Sequence, residues 1–504
     1  MEISLNRDST TPLYQQLRNQ IRDQIISGEL TDGFKLPSER QLVERLEIHR
    51  NTVKKAYEQL MGEGLIYSSA KSPRGYFVRG SRADAAAKDA QNERFGMRRA
   101  FSSLDKNFNY QFLGMQNTFQ RFYNSSYLSE AIPFAGVLAN EEALPMEYLR
   151  EILREMAQES TLEPFWFCDP QGTEHFRMAL ADMLFGRNIY VPTEQIQAIS
   201  ETYEALSNIA FMYLKEGDYA VVEEPAVPAV VNIFLHTGAQ VLLVPMERDG
   251  MKIEALESLV ERYHPKLIYT LPNFHNPTGA VMSLMKRRQL LKCAYSRNIP
   301  VVEDDSLRDF NYDGIRLPSL YSMDRTSSVI YMDSFNLSSF FPGARIGYMI
   351  GPENVIKTYR RIINKDQLFL GSMSQYMWAR FYEKGYYDKH RVFLADFYRK
   401  KRDRMVQALS KIPGLVFEIP AGGLVCWVRL PEGMNDRQVT AAAERKGLLL
   451  MPGNTFFAEG SRGESYLRIS FSSASDEKID EGAGILTLRA AAASPTLSIW
   501  PSQP

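Results

Sequence analysis

The spacing of apolar positions changes along the chain and divides it into regions. Leu13, Tyr14, Leu17, Ile21, Ile25 and Ile26 recur at three- and four-residue steps, the stripe of an amphipathic helix opened by Pro12 and stopped at Gly28. Ser38, after Leu36-Pro37, is placed to cap a second helix running to Leu46. A short turn leads to a third, expected from Arg50 to Glu63, and Gly75-Tyr76-Phe77-Val78 reads as a strand. From 131 to 490 the pattern is different. Short runs such as YAVVEEP, AQVLLVP, KLIYTLP, IPVVEDD and SVIYMDS, apolar on both faces, alternate with helical stretches. That alternation predicts an α/β fold with a mainly parallel sheet covered on both sides, ligands being placed at the strand ends. Residues 80–130 read as a linker, polar and Ala-rich at first and then dotted with aromatics that dock on the body, and residues 491–504 as a flexible tail.

Composition narrows the function classes. The 504 residues, 44% hydrophobic and 24% charged with a net charge of −1, are those of a globular protein with room for two or three cores. The near-neutral total excludes a broadly polycationic chain but averages over domains. Cys168, Cys293 and Cys426 lie far apart, with neither metal-ligand spacing nor a disulfide framework, which fits a reducing cytoplasm. No signal-peptide core opens the chain and no apolar run is long enough to span a bilayer, so no membrane partner is expected.

Helix, short turn, helix and strand make up a winged helix-turn-helix, whose second helix enters the major groove with its N-terminal residues at base edges. Residues 1–79 resemble the GntR-type version over nearly their whole length: PLYQQL, the ISGEL and LPSER runs, RNTV with AYEQL and EGLI, and the GYFV wing. The resemblance implies that Arg40, Arg50, Asn51 and Thr52 lie at double-stranded DNA, with Lys54, Lys71 and Arg74 nearby. An Arg50 fork suits guanine O6/N7 and Asn51 suits adenine, while the other cations meet phosphates. Charge alone would not single out this head: twelve Lys/Arg against ten Asp/Glu in residues 1–80 leave only +2. His49 is expected to be a turn residue at the start of the recognition helix.

Residues 131–490 resemble fold-type I aminotransferases, and the join to a GntR-type head resembles the MocR subfamily of regulators. The resemblance rests on Asp169-Pro-Gln-Gly172, Pro272-Asn-Phe-His-Asn-Pro-Thr-Gly279, Glu303-Asp-Asp305, Pro342-Gly-Ala-Arg-Ile-Gly-Tyr348, Gly422-Gly423 and Tyr466-Leu-Arg-Ile-Ser470. It implies a parallel-sheet large domain, a small α+β domain and a homodimer. It also implies a site for pyridoxal 5′-phosphate (PLP), in which Asn276 meets the phenolic oxygen, Asp304 the pyridine nitrogen, Arg345 the phosphate and Arg468 a substrate carboxylate.

Other positions depart from the family pattern. The Schiff-base lysine falls on Leu337 counted forward from Ser334, or on Ser338 counted back from Pro342, and neither forms an imine. A tyrosine is replaced by Ser306, the ring-stacking aromatic by Val227, the glycine of the phosphate turn by Glu201, and a tyrosine that reaches the phosphate across the dimer by Phe167. Glu201 puts a carboxylate where an anion should bind, and Arg345 is a candidate to pair with it. Phe165, Trp166 and Phe167 are expected in the core or at a dimer contact.

These features lead to a DNA-binding transcription regulator with no catalytic residue, metal or PLP. Its body dimerises and holds a small carboxylate or amino-acid-like effector noncovalently, through Asn276, Asp304, Arg345 and Arg468. The alternatives are a PLP enzyme or PLP-sensing regulator with a lysine from elsewhere, Lys357 or Lys365, and a ligand-free dimerisation scaffold.

Overall fold

The structure, a computed structural model, describes residues 3, 5, 12–26, 30, 33–46, 48–62, 65–69 and 75–78, then 131–493 apart from 338–339, 366–369 and 459. Two compact units divide between residues 110 and 111. The stop at Gly28, the cations Lys71 and Arg74, the linker and Ser338 lie outside the described residues.

The first unit holds helices α1 (Leu13–Ile26), α2 (Glu39–Leu46) and α3 (Arg50–Gly62) and strands β1 (Ile66–Ser69) and β2 (Gly75–Val78). Val53, Ala56, Tyr57 and Leu60, at i, i+3, i+4 and i+7, form the face of α3 that is wholly buried against Leu17 and Ile21 of α1 and Leu42 of α2. Ser38 and Gln41 cap α2 reciprocally: the Gln41 amide donates to Ser38 Oγ at 3.3 Å and the Ser38 amide to Gln41 Oε1 at 2.8 Å. The wing pairs Ile66 with Val78 and Ser69 with Gly75 in antiparallel register.

The first described strand of the second unit is short, β3 (Ile132–Pro133), and the unit builds an eight-stranded sheet. Its strands are β4 (Ile196–Ile199), β5 (Tyr219–Glu224), β6 (Gln240–Glu247), β7 (Gly250–Met251), β8 (Leu267–Thr270), β9 (Val301–Asp304), β10 (Val329–Ser334) and β11 (Gly347–Ile350). The order is β4-β11-β10-β9-β8-β5-β6-β7. Strands β10, β9, β8, β5 and β6 are mutually parallel, while β11 runs against both neighbours and β7 against β6. Successive strands proceed in opposite directions from the β5–β8 pair, which opens a crevice at their carboxyl ends.

A smaller sheet, ordered β12-β13-β16-β15, comprises β12 (Val416–Phe417), β13 (Val425–Arg429), β15 (Met451–Pro452) and β16 (Tyr466–Ser470), and β14 (Leu448–Leu449) pairs with β3. Four of the five runs singled out above become strands buried along their whole length, β5 except for half-buried Tyr219; AQVLLVP becomes β6, which lies at the side of the sheet and is only partly buried.

One expectation is narrowed and one corrected. Of the two places expected for Phe165, Trp166 and Phe167, the core of the chain is excluded, for they are 54, 69 and 80% exposed, and the dimer contact is left. Ser372 Oγ donates to the carbonyls of Pro164 at 3.2 Å and Trp166 at 2.7 Å, which ties that backbone down while the rings stay outside. The last helix, Asp476–Ala493, also runs three residues into the stretch read as tail.

Candidate functional site

The first candidate surface is on the head. Arg40, Arg50, Asn51 and Lys54 are exposed and Thr52 half-buried, gathered around the start of α2 and the first turn of α3. His49 occupies the turn, its Nδ1 accepting from the Asn51 amide at 3.2 Å. The side chains are partly pre-set. Arg50 Nε donates to Glu39 Oε2 at 2.9 Å, and the Tyr76 hydroxyl of the wing donates to Glu39 Oε1 at 3.1 Å. One carboxylate thus joins α2, α3 and β2. The Arg50 hydrogen bond, outweighing the opposing effect of burial, holds the Glu39 carboxyl below its usual value. Arg40 is held by Glu44 at 2.9 Å and Lys54 by Glu58 at 3.7 Å, surface i,i+4 pairs worth little in stability.

The second candidate is a cavity of about 560 Å³ at the carboxyl ends of β5, β8, β9 and β10. Asn276, Asp304, Arg345 and Arg468 all line it, together with Glu201, Val227, Ser306 and Leu337. The sequence-predicted ligand residues and most of the altered positions therefore share one chamber. Phe167 stands apart from its lining, on the exposed aromatic run.

Alternation along β9 decides which of three consecutive acids faces the chamber. Glu303 accepts the amides of Leu320 and Tyr321, each at 2.9 Å. Asp305 is held by Asn273 at 2.5 Å, the Tyr331 hydroxyl at 2.8 Å and Arg308 at 3.1 Å. Only Asp304 lines the cavity, accepting from the Tyr269 hydroxyl at 2.9 Å and the Ser306 amide at 3.1 Å. Burial pushes the Asp304 carboxyl upward.

Glu223, at the end of β5, accepts from Thr270 Oγ1 at 2.6 Å and the Leu271 amide at 2.9 Å, and burial pushes it up to about 7. His275 Nε2 lies 3.5 Å from Glu223. Burial holds that imidazole down at about 3, so the approach is one of a neutral ring and not an ion pair. The turn that presents His275 and Asn276 is fastened by buried Arg287, which donates to the carbonyls of Pro272 at 3.1 Å and Met282 at 2.9 Å and to Asn273 Oδ1 at 2.6 Å.

Arg468 reaches the cavity from β16 of the small sheet. Its guanidinium donates to Asn276 Oδ1 at 3.2 Å and to the Ala135 carbonyl at 2.5 Å, with its centre 5.0 Å from the Phe456 ring centroid. Burial lowers its pKa to about 10, so it remains a cation at neutral pH. Glu201, another lining residue, is the N-cap of the helix Thr202–Tyr213. Its Oε1 accepts the Thr202 amide at 3.0 Å and its Oε2 accepts Asn336 Nδ2 at 2.7 Å. Arg345, 63% exposed and in the left-handed region at φ 49°, stands 4.0 Å from Glu201, a looser pair than the Asn336 bond.

Sequence reasoning missed Glu39, Tyr269, His275 and Asn336. His275 lay inside the quoted Pro272–Gly279 motif and Asn336 two residues past the end of β10, and these places beyond strand ends were the available signal. Glu39 and Tyr269 also lay in quoted runs, LPSER and KLIYTLP, but nothing local marked their role, since Tyr76 is 37 residues from Glu39 and Asp304 is 35 from Tyr269. Among the described residues no group of three metal-ligating side chains occurs, and no helix is long and apolar enough to cross a membrane.

Comparison with known proteins agrees with both halves. Residues 140–486 match the family of aminotransferase class I and II, and residues 13–78 match the bacterial regulatory proteins of the gntR family. The chain is 26% identical over 484 residues to the uncharacterized HTH-type transcriptional regulator YisV of Bacillus subtilis (strain 168), covering 95% of this chain and 96% of that one. It is 25% identical over 459 residues to the probable rhizopine catabolism regulatory protein MocR of Rhizobium meliloti, covering 89 and 88%. Among solved structures, kynurenine aminotransferase of Pyrococcus horikoshii, crystallised with PMP, matches with a TM-score of 0.73 at 28% identity, covering 77% of this chain and 98% of that one.

Proposed function

We propose, for a chain that belongs to the aminotransferase class I and II family and carries the helix-turn-helix head of a gntR-family regulator, that the head reads operator DNA while the body, as a homodimer, binds a small carboxylate or amino-acid-like effector without a covalent bond. The protein is a helix-turn-helix regulator with an aminotransferase-like body, and its full-length relatives include transcriptional regulators. In this reading Arg50 and Asn51 meet base edges and Arg40, Thr52, Lys54, Lys71 and Arg74 meet phosphates.

One observation carries the noncovalent half: Leu337 lines the cavity where imine chemistry requires an amine. Lys357 offers no replacement, since it lies on the helix Glu353–Lys365, 67% exposed and paired with Glu353 at 2.6 Å. The residues of the chamber do not fit a covalently held PLP. Val227 has no π-face for a pyridine ring, and Glu201 takes the helix-terminal amide that would meet a phosphate. Arg468 with Asn276 suits a carboxylate fork, and the apolar walls suit a nonpolar remainder.

Homodimerisation is supported by the run Phe165, Trp166 and Phe167, apolar surface that a second copy would cover. A dimer presents two heads to paired half-sites. The effector acts by binding the DNA-competent and incompetent arrangements with different affinities. The test is a titration of the full chain with PLP, followed by borohydride. No trappable aldimine absorbance is expected; a stoichiometric one would replace this reading with a PLP-dependent one.

A further inference from the structure

Around Glu201 the cavity lining has the form of an anion site whose anion belongs to the protein. Thr202 donates its backbone amide at the helix N-terminus, Asn336 donates Nδ2, and the Arg345 guanidinium stands at the mouth, and all three face the Glu201 carboxylate at 3.0, 2.7 and 4.0 Å. The helix Thr202–Tyr213 is a full twelve residues, so its terminus has the partial positive charge that draws an anion. Glu204 adds a second carboxylate to the same first turn.

We infer that Glu201 is a resident anion that takes the place of a ligand phosphate, barring phosphate-bearing molecules from this cavity and restricting it to unphosphorylated ones. A phosphate entering here would lose the amide and Nδ2 donors to Glu201 and meet its carboxylate at close range. The Arg468–Asn276 pair keeps its attraction for a carboxylate, and Val137, Val227, Leu271, Leu307 and Leu337 add apolar lining. The ligand class is then an unphosphorylated carboxylate with an apolar body, a step that rests on the effector reading above.

The test uses the full chain, with inorganic phosphate and PLP as phosphate probes and L-leucine and L-phenylalanine as carboxylates with an apolar body. Binding is read by calorimetry and thermal shift in wild type, Glu201→Gly and Glu201→Gln. The wild type should bind the phosphate probes about a hundredfold more weakly than Glu201→Gly, the factor expected from removing one like charge at near-contact distance. Glu201→Gln, which keeps the side chain and its folding role but loses the charge, should fall between them. Wild type binding either phosphate probe as tightly as both variants overturns the inference. Gain of phosphate binding in the variants, with neither amino acid bound by the wild type, upholds the role of Glu201 and removes the carboxylate reading instead.

Discussion

Glu223→Gln tests whether the chamber wall has the electrostatics described. Glu223 is 1% exposed, and burial raises its pKa from 4.5 to about 7 despite hydrogen bonds from Thr270 and the Leu271 amide. Between those two values the folded protein keeps the proton that the unfolded chain has released, so the folded state binds more protons and stability falls as pH rises through 4.5 to 7. Above that window the carboxylate is ionised in both states and the full cost is present. Each pKa unit corresponds to ~1.4 kcal/mol, and after discounting for relaxation around a buried group the cost is on the order of 2–3 kcal/mol. Glutamine is always neutral and keeps both hydrogen bonds, its oxygen accepting from Leu271 and its amide donating to Thr270 Oγ1. Urea unfolding followed by tryptophan fluorescence reports on the body, because all four tryptophans (Trp166, Trp378, Trp427 and Trp500) lie beyond the head. The variant should match wild type near pH 4.5 and exceed it by about 2 kcal/mol at pH 8. An advantage independent of pH, or a weaker variant at pH 8, refutes the reasoning.

Three further outcomes follow from the two surfaces. Arg50→Ala should weaken binding to the preferred duplex by about 1–3 kcal/mol and relax the sequence preference, whereas Lys54→Ala should weaken all duplexes alike and reduce the salt slope by about one; filter binding at several salt concentrations separates the two. Glu39→Gln should change stability by less than about 1 kcal/mol, since Arg50 is 75% exposed, yet lower the ratio of specific to nonspecific affinity, because Arg50 loses its anchor while the DNA face loses a negative charge. An unchanged ratio counts against Glu39 as a positioning residue. Arg468→Lys keeps the charge and loses the planar fork, and should weaken carboxylate binding at least about tenfold by calorimetry while sparing DNA binding by the unliganded protein.

Much of this architecture can be read from local pattern. The caps at Ser38 and His49, the buried face of α3 and the doubly apolar strands are each decided by residues within a few positions of one another. The chamber is legible for a related reason: Asn276, Asp304 and Leu337 sit at or just past strand ends, where a parallel sheet gathers its ligands. Long-range pairing is not legible in the same way. Nothing near Glu39 foretells that it joins Arg50 to Tyr76, and nothing near Asp304 foretells the Tyr269 hydroxyl. The run Phe165 to Phe167 has the composition of a core. Its rings are exposed, and its backbone is tied to Ser372, some two hundred residues on, a contact no local pattern marks. Arg345 was a reasonable partner for Glu201, but Asn336 is closer.

As proposed, this chain recognises DNA through its head as a dimeric regulator. Selection of the full-length protein against a randomised duplex pool, followed by anisotropy titration of the enriched sequence at two salt concentrations, tests it most directly. Enrichment of a site with two half-sites, binding that weakens as salt rises, and loss of the preference in Arg50→Ala are expected. A pool that stays random, with equal affinity for the enriched and scrambled duplexes, contradicts it.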